Sequence, residues 1–309
     1  MGKVLEYNAT LVDRIDVTDK LSIFKVRSDE EVPGFLPGQY VTLGMNNEVE
    51  TEKGSVRRPM SVVSAPEEDG FLEFYIRYVD WPESDNPLTH LLWPTKVGAR
   101  LWMKPKAVGH FTVHHTLGDD DKRLRVCVAA GTGLAPFISM ARSCRLRGAD
   151  HELKEYAILH GASYPKDLGY GEELADLKAR GLAYFPTISR PKEAADWTGD
   201  TGRVEDFFLP ERIGETEERL GLGPGGLNAE EATILICGLQ GTIGQTISRL
   251  VSRGFVPDNR KLRRSLGVPD DVVPSLFFEQ YDSTPALEVD NEEVMGPLRA
   301  KMRAALRLE

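Results

Sequence analysis

The sequence predicts two domains, an antiparallel β-barrel followed by an α/β domain with a doubly wound parallel sheet, and then a C-terminal helical tail. Three observations support this fold class. The chain has 309 residues, and a single core rarely grows past about 250–300 residues. Its first third alternates apolar and polar residues in short runs, while the next part alternates apolar strands with helices. We place the domains at 1–118 and 119–289 and the tail at 290–309.

The composition excludes several protein classes. Apolar residues make up 41% and charged residues 28%, which is typical of soluble globular proteins. A net charge of −10 argues against general nucleic-acid binding. The widely spaced Cys127, Cys144 and Cys237 have no metal-ligand or cluster spacing, so no metal is expected. Without an apolar leader or an apolar run of about 20 residues, we expect a cytoplasmic protein with no stable membrane insertion.

The barrel prediction rests on short alternating runs separated by turn residues. The predicted strands are Leu21–Val26, Tyr40–Leu43, Ser61–Val63, Leu72–Val79 and Arg100–Met103. A helix over Leu88–Trp93 lies within the same stretch, just before Pro94.

The second domain begins with a strand of a different kind. Val126–Ala130 is a continuous apolar run, as expected for a strand buried on both faces, and a helix over Ala135–Leu146 follows it. Further predicted strands and helices alternate. The strands are Glu155–His160, Leu182–Ile188 and Thr233–Cys237, and the helices are Gly171–Arg180, Val204–Phe208 and Thr242–Arg253. A charged segment, Glu211–Glu231, is left without a predicted element.

The tail carries an apolar stripe at helical spacing from Val294 to Leu306, with basic residues between. We expect a helix docked on the protein's own surface. Association with a membrane surface is the alternative.

Three short motifs point to a function when they are taken in order. They are Arg58-Pro59-Met60-Ser61, Gly131-Thr132-Gly133, and Cys237-Gly238. In this order they resemble the ferredoxin–NADP⁺ reductase family, and the resemblance extends from Pro37 to Tyr281. It implies an FAD-binding barrel, an NADP-binding α/β domain, and electron exchange between NADPH and a small redox protein.

The FAD site predicted from the first motif needs a cation for the pyrophosphate, and a guanidinium supplies a rigid fork of donors. Arg58, at the start of the predicted strand, fills this role, and Ser61 would face the flavin N5. In the family an aromatic residue stacks on the flavin where Met60 stands here, and a thioether can cover a ring less strongly. The other FAD contacts implied by the resemblance are Pro59, Tyr75, Ile76, Arg77, Tyr78, Leu88, Thr89, Thr132 and Tyr281.

The nicotinamide site is predicted at two glycine turns, each between a strand and a helix, where backbone N–H groups can face phosphates. Gly131-Thr132-Gly133 lacks the third glycine of the standard dinucleotide fingerprint and has Pro136 in its place. Cys237-Gly238 forms the second turn. Its alternative explanation is a simple turn with a buried cysteine; together with the other motifs we favour a thiol that contacts the nicotinamide.

Selectivity for the 2′-phosphate is predicted from basic residues after the third strand. Ser189-Arg190 resembles the Ser-Arg of the family, and Arg203 lies in a Thr-Gly-Arg that also resembles it. Ser163 stands where many bacterial relatives have a further arginine, so two arginines remain. An exposed surface charge is the alternative for both, and for Arg203 the two explanations have nearly equal weight.

The resemblance also implies catalytic residues. Ser61 and Glu279 would form a proton path, Cys237 would contact the nicotinamide, and Tyr281 would cover the flavin. Relatives end at or near this tyrosine, whereas 28 residues follow it here (309 − 281). A simple gate formed by a terminal aromatic is therefore in doubt.

Two classes of function remain open. The first is an enzyme that moves a hydride between NADPH and FAD and exchanges single electrons with ferredoxin or flavodoxin, or with a separate oxygenase or haem protein. The second is a non-catalytic flavin-bearing redox sensor, which Met60, Ser163 and the C-terminal tail favour. Retention of Ser61, Cys237 and Glu279 together favours the enzyme. We expect a monomer.

Overall fold

The computed structural model describes residues 4–31, 34–118, 120–280 and 284–308. The chain divides into two compact units. The first comprises residues 1–119 with 135–149, and the second comprises residues 120–134 with 150–309. The helix predicted at 135–146 thus groups with the barrel, and the domain boundary at residue 118 stays a prediction.

The described residues of the first unit form six antiparallel strands. They are β1 (Ala9–Thr18), β2 (Leu21–Ser28), β3 (Tyr40–Asn46), β4 (Ser55–Ser61), β5 (Leu72–Arg77) and β6 (Arg100–Met103). Their order is β4–β3–β6–β1–β2–β5. The two end strands also meet, because Val62 bridges to Phe74 and the Val63 amide donates to the Glu73 carbonyl at 2.8 Å. The predicted antiparallel barrel is confirmed.

The alternating pattern of the strands turns one face of each toward a common apolar core. Phe24, Leu43 and Phe74 are among its fully buried members. Helix α1 (Leu88–Leu92) adds two leucines, Leu88 and Leu92, to the same core. A short helix, α2 (Val113–Thr116), follows β6.

In the second unit, the part of the chain that the structure describes forms six parallel strands. They are β7 (Leu124–Ala130), β8 (Tyr156–Ala162), β9 (Ala183–Ile188), β10 (Asp200–Thr201), β11 (Ala232–Cys237) and β12 (Leu276–Glu279). Their order is β10–β9–β8–β7–β11–β12. The chain moves outward from β7 to β10 and then returns to β11 on the other side of β7. The carboxyl ends of β7 and β11 are therefore neighbours where the strand order reverses, which is where such sheets bind ligands.

The remaining helices connect or follow these strands. They are α3 (Ala135–Leu146), α4 (Gly171–Ala179), α5 (Ile213–Arg219), α6 (Gln240–Leu250), α7 (Arg260–Leu266) and α8 (Glu292–Leu306). The predicted doubly wound sheet and the helical tail are confirmed. Within the described part of the chain, no helix has both the length and the apolar character that a membrane span requires.

Helix α3 is fixed to the loop between β4 and β5. The Ser139 hydroxyl donates to the Ser64 carbonyl at 2.6 Å, and the Ser143 hydroxyl donates to Glu67 at 2.8 Å. Arg142 pairs with the buried Glu73 at 3.1 Å. These contacts explain why the helix groups with the barrel although it follows β7 in the chain.

The tail helix α8 is docked on the second unit. Met295, Leu298 and Met302 are buried in the core that also contains the β11 residues. The Arg299 Nε donates to the Ser265 carbonyl in α7 at 2.8 Å. Gly296 and Pro297 weaken the intrinsic helix propensity, so this helix depends on its packing.

Several predicted elements were wrong in detail. The strand predicted at Ser61–Val63 is β4, which ends at Ser61, so Arg58 lies inside the strand instead of at its start. The segment Val204–Phe208 is a 3₁₀ helix. The charged segment Glu211–Glu231 contains α5. The buried Glu217 of this helix accepts bonds from the Gly225 and Leu227 amides and from Arg253.

Candidate functional site

In the first unit, the Arg58 motif lies along β4. Arg58 pairs across the ladder with Leu43, and its exposed side chain donates to the Arg57 carbonyl at 2.9 Å. Met60 packs partly against the barrel core, and Pro59 and Ser61 are half-buried. An exposed guanidinium on a rigid strand can bind a phosphate.

The turn before α1 lies close to this strand, because α1 packs against β3 and β4. Asn86 fixes the turn: its side chain is buried, accepts from the Asn47 amide at 3.0 Å and donates to the Lys53 carbonyl at 3.3 Å. Leu88 is in the core, and the Thr89 hydroxyl accepts from the Val79 amide at 3.4 Å. Because these side chains are bonded or buried within the protein, a ligand at this turn would contact backbone N–H groups.

Four of the predicted FAD contacts lie along and just after β5. Tyr75 and Ile76 are buried, whereas Arg77 is exposed. Tyr78 stacks on His90 of α1 with ring centroids 4.6 Å apart. The stack and the Thr89 bond tie the chain after β5 to α1.

In the second unit, the two glycine turns touch each other at the point where the strand order reverses. A Cβ on Gly133 would lie 2.0 Å from the Cys237 carbonyl oxygen, and a Cβ on Gly238 would lie 2.7 Å from the Ala130 Cβ. Gly131 has φ +57°, a conformation that favours glycine. Only glycine permits this approach of backbone to backbone.

Two of the predicted catalytic residues are neighbours on adjacent strands. Cys237 ends β11 and pairs in register with Glu279, which ends β12. Cys237 is buried, and Glu279 is half-buried. Both therefore lie at the same edge as the glycine turns. Tyr281 lies outside the described residues, and Ser61 belongs to the other unit, so the predicted proton path stays a prediction.

A buried histidine that sequence reasoning did not single out supports the first turn. His160 on β8 is fully buried, and its Nε2 lies 3.2 Å from the Gly131 carbonyl oxygen. Its Nδ1 lies 3.2 Å from the Tyr184 hydroxyl of β9. Burial lowers the pKa of His160 to about 4, so the ring is neutral at physiological pH. The only sequence signal was a polar residue inside an apolar strand.

The predicted phosphate-selective residues follow β9 and β10 at the same edge. Ser189 is exposed, and its amide donates to the Ala162 carbonyl at 2.9 Å. The exposed Arg190 donates to the Tyr164 hydroxyl at 2.8 Å, and this bond raises the pKa of Arg190. Arg203 is exposed as well and lies 3.9 Å from the buried Glu205.

A third cation at this end was not predicted. The Lys166 Nζ lies 5.8 Å from the centroid of the Tyr164 ring, and the Arg190 guanidinium lies 5.5 Å from the same centroid. Lys166 thus stands near Arg190. It lies three residues after Ser163, the position where many bacterial relatives have an arginine. Its position became evident only when the fold brought β8 beside β9.

The chain beyond β12 is anchored close to the second glycine turn. The Gln280 side chain donates to the Thr284 carbonyl, and the Gln240 side chain donates to the Pro285 carbonyl at 2.6 Å. A Cβ on Gly244 of α6 would lie 2.3 Å from the Ala286 carbonyl oxygen. The described residues on both sides of position 281 are therefore held by the second unit.

Comparison with known proteins agrees with both halves. Residues 8–112 match the oxidoreductase FAD-binding domain family, and residues 127–246 match the oxidoreductase NAD-binding domain family. The flavodoxin/ferredoxin–NADP reductase of Rhodobacter capsulatus is 30% identical over 247 residues, 77% of this chain and 82% of that relative. The xylene/toluene monooxygenase electron transfer component of Pseudomonas putida is 28% identical over 203 residues, 65% of this chain and 53% of that relative.

A solved structure has the same fold. The ferredoxin NADP⁺ reductase from Neisseria gonorrhoeae with bound FAD and NADP matches with a TM-score of 0.70 and 22% identity. The match covers 88% of this chain and 97% of that one.

Proposed function

Since the chain belongs to the ferredoxin–NADP⁺ reductase family, we propose that it moves electrons between NADPH and a small one-electron carrier, a ferredoxin or flavodoxin. That it is an oxidoreductase with FAD-binding and NAD-binding domains follows from the two family matches. The observation that carries the finer proposal is the edge of the parallel sheet. There the glycine turns, Cys237 and Glu279 lie at one end. The cationic side chains of Lys166, Arg190 and Arg203 lie at the other end.

The residues of this edge fit a nicotinamide dinucleotide. Gly133 and Gly238 allow the two turns to approach each other, because a Cβ on either would collide with the other turn. Gly131 adopts φ +57° at the start of the first turn. Parallel strands lie about 4.8 Å apart, so β9 and β11 are separated by roughly 14 Å. The edge can therefore hold the phosphate end and the nicotinamide end of one extended dinucleotide at different strands.

The first unit fits FAD. Arg58 offers a fixed charge, and the turn before α1, which packs against β4, offers N–H groups. Two such elements suit a pyrophosphate, whereas FMN has one phosphate. We therefore propose non-covalent FAD held by Arg58 and by the Leu88 and Thr89 amides.

When bound, FAD supplies the chemistry: it exchanges a hydride with nicotinamide C4 at its N5 and exchanges electrons singly with the carrier. The chain's own residues hold and orient the cofactors. Cys237 and Gly238 set the position of the nicotinamide, Glu279 and Ser61 handle a proton, and Tyr75, Arg77 and Tyr78 face the flavin.

We propose that NADPH is preferred over NADH, since Arg190, Arg203 and Lys166 can all approach a 2′-phosphate. Three buried cysteines, none of them in a disulfide, accord with a reducing cytoplasm, and we propose that the chain works there as a monomer.

The test measures flavin content and flavin reduction in the purified protein. Arg58→Ala should release FAD during gel filtration, whereas Arg57→Ala, the neighbouring exposed arginine, should retain it. Rapid bleaching of the flavin absorbance on mixing with NADPH supports the enzyme, and Cys237→Ser should slow it more than tenfold. Cys127→Ser, a buried cysteine on β7, is the matched control. Heat extraction yielding only FMN, or no bleaching by NADPH, would contradict the proposal and favour the sensor.

A second candidate is a reductase component of an oxygenase, which the match to the monooxygenase electron transfer component favours. Reduction of a ferredoxin or flavodoxin at least tenfold faster than of any oxygenase component would support the first candidate. The opposite ranking would support the second.

A further inference from the structure

The carbonyl of Gly131 is hydrogen-bonded to His160, a buried residue of β8. A carbonyl oxygen only accepts, so the His160 Nε2 must carry the hydrogen and donate to it over 3.2 Å. The neutral ring then has an unprotonated Nδ1, which accepts from the Tyr184 hydroxyl over 3.2 Å. The pair of bonds fixes both the tautomer and the orientation of the ring.

The position of this carbonyl determines the direction of the next amide. The described peptides are all trans, and in a trans peptide the C=O and the N–H point in opposite directions. With the Gly131 carbonyl directed at His160, the Thr132 N–H points away from the buried ring. It lies at the start of the 3₁₀ turn Gly131–Leu134, where N–H groups have no partner within the helix.

We propose that His160, oriented by Tyr184, is a positioning residue for the nicotinamide cofactor: it fixes the Gly131 peptide so that the Thr132 N–H donates to the bound dinucleotide. The inference rests on the proposed cofactor use. It adds two residues that no motif of the sequence indicated, and it makes the first glycine turn depend on β8 and β9.

The burial of the ring supports this role. His160 is 0% exposed and lies between the registered residues Ala129 of β7 and Pro186 of β9. Burying an imidazole is costly unless both nitrogens are bonded. Its two partners satisfy it, and one of them belongs to the cofactor turn.

The test measures the Kd of NADP⁺ by calorimetry, the FAD content and steady-state kinetics. His160→Phe keeps an aromatic ring and removes both nitrogens, and we expect NADP⁺ to bind about tenfold more weakly. KM for NADPH should rise by a similar factor, while kcat and FAD content stay within twofold. His160→Gln, whose amide N–H can replace the Nε2–H, should restore most of the affinity, and Tyr184→Phe should cause a smaller loss.

A control variant distinguishes positioning from general destabilisation. Val251→Ala removes buried volume from the core of the same unit, at the 3₁₀ turn Val251–Arg253 that follows α6. A Kd for His160→Phe within twofold of the wild type would overturn the inference, as would an equal loss in Val251→Ala or a loss of FAD without weaker NADP⁺ binding. Wild-type protein that binds no NADP⁺ would instead contradict the proposed function.

Discussion

The docked tail helix could stabilise the second unit as an anchor, or it could control flavin reduction as a gate. A substitution in this helix distinguishes the two roles. Met302 is fully buried beneath α8, while the adjacent Lys301 is exposed. Met302→Ala should loosen α8 from the second unit without touching either cofactor site. Lys301→Ala, one position away on the same helix, should leave the packing intact and serves as the control.

The expected magnitude follows from burial. Replacing a fully buried methionine with alanine costs about 2–5 kcal/mol through lost transfer free energy and the cavity that remains. For a domain of 150–250 residues, 1 kcal/mol shifts Tm by about 2–4 °C. A loss of about 3 kcal/mol should therefore lower the Tm of the unit by about 6–12 °C. Lys301→Ala should change the free energy of unfolding by less than about 0.5 kcal/mol.

The assay combines differential scanning calorimetry with stopped-flow reduction of the flavin by NADPH. If α8 is an anchor, Met302→Ala lowers Tm, FAD stays bound, and the reduction rate stays within a few-fold of the wild type. Truncation after Tyr281 should have a larger effect of the same kind. A large acceleration of reduction with unchanged Tm would refute this reasoning and identify the tail as a gate.

Three further predictions concern the second unit. Glu217→Gln should lower the free energy of unfolding by about 2–3 kcal/mol in urea titrations, because Arg253 loses its charged partner; an unchanged midpoint would contradict this. The Arg190→Ala/Arg203→Ala double variant should reduce the ratio of kcat/KM for NADPH over NADH at least tenfold, and equal ratios in wild type and variant would exclude a phosphate-binding role. Burial lowers the pKa of His160 from 6.5 to about 4. The free energy of unfolding should therefore be unaffected by this group above pH 6.5 and should fall by about 3 kcal/mol in total as the pH drops to 4, because the unfolded chain then binds the proton that the folded chain excludes. His160→Gln should lack this loss, and parallel pH profiles of the two proteins would refute it.

Local pattern was sufficient to predict the architecture. A continuous apolar run such as Val126–Ala130 is typical of a strand that is buried on both faces of a parallel sheet. The glycine turns mark where such strands end. For α3 even the bounds, Ala135–Leu146, agree. The element types came from periodicity, which depends on neighbours along the chain.

The parts that were missed depend on contacts between distant segments. Helix α5 lies in a charged stretch and is held by Glu217, whose partners Gly225, Leu227 and Arg253 stand 8 to 36 positions away. A periodic pattern of apolar residues cannot indicate that the Glu217 carboxylate is buried and bonded to these distant residues. His160 was similarly overlooked, because its role depends on a carbonyl of β7's turn and a hydroxyl of β9 that only the sheet brings together.

The two ends of the sheet edge differ in how freely they can change. At the proposed nicotinamide end, Gly133 and Cys237 meet backbone to backbone, so a single added methyl group would displace the turn. At the proposed phosphate end, Arg190, Arg203 and Lys166 are exposed side chains whose replacement costs the fold little. In the proposed site, the preference for NADPH or NADH therefore depends on surface side chains, whereas the position of the nicotinamide depends on the packed turns. A larger residue at position 133 or 238 would therefore have to displace the turns that follow β7 and β11.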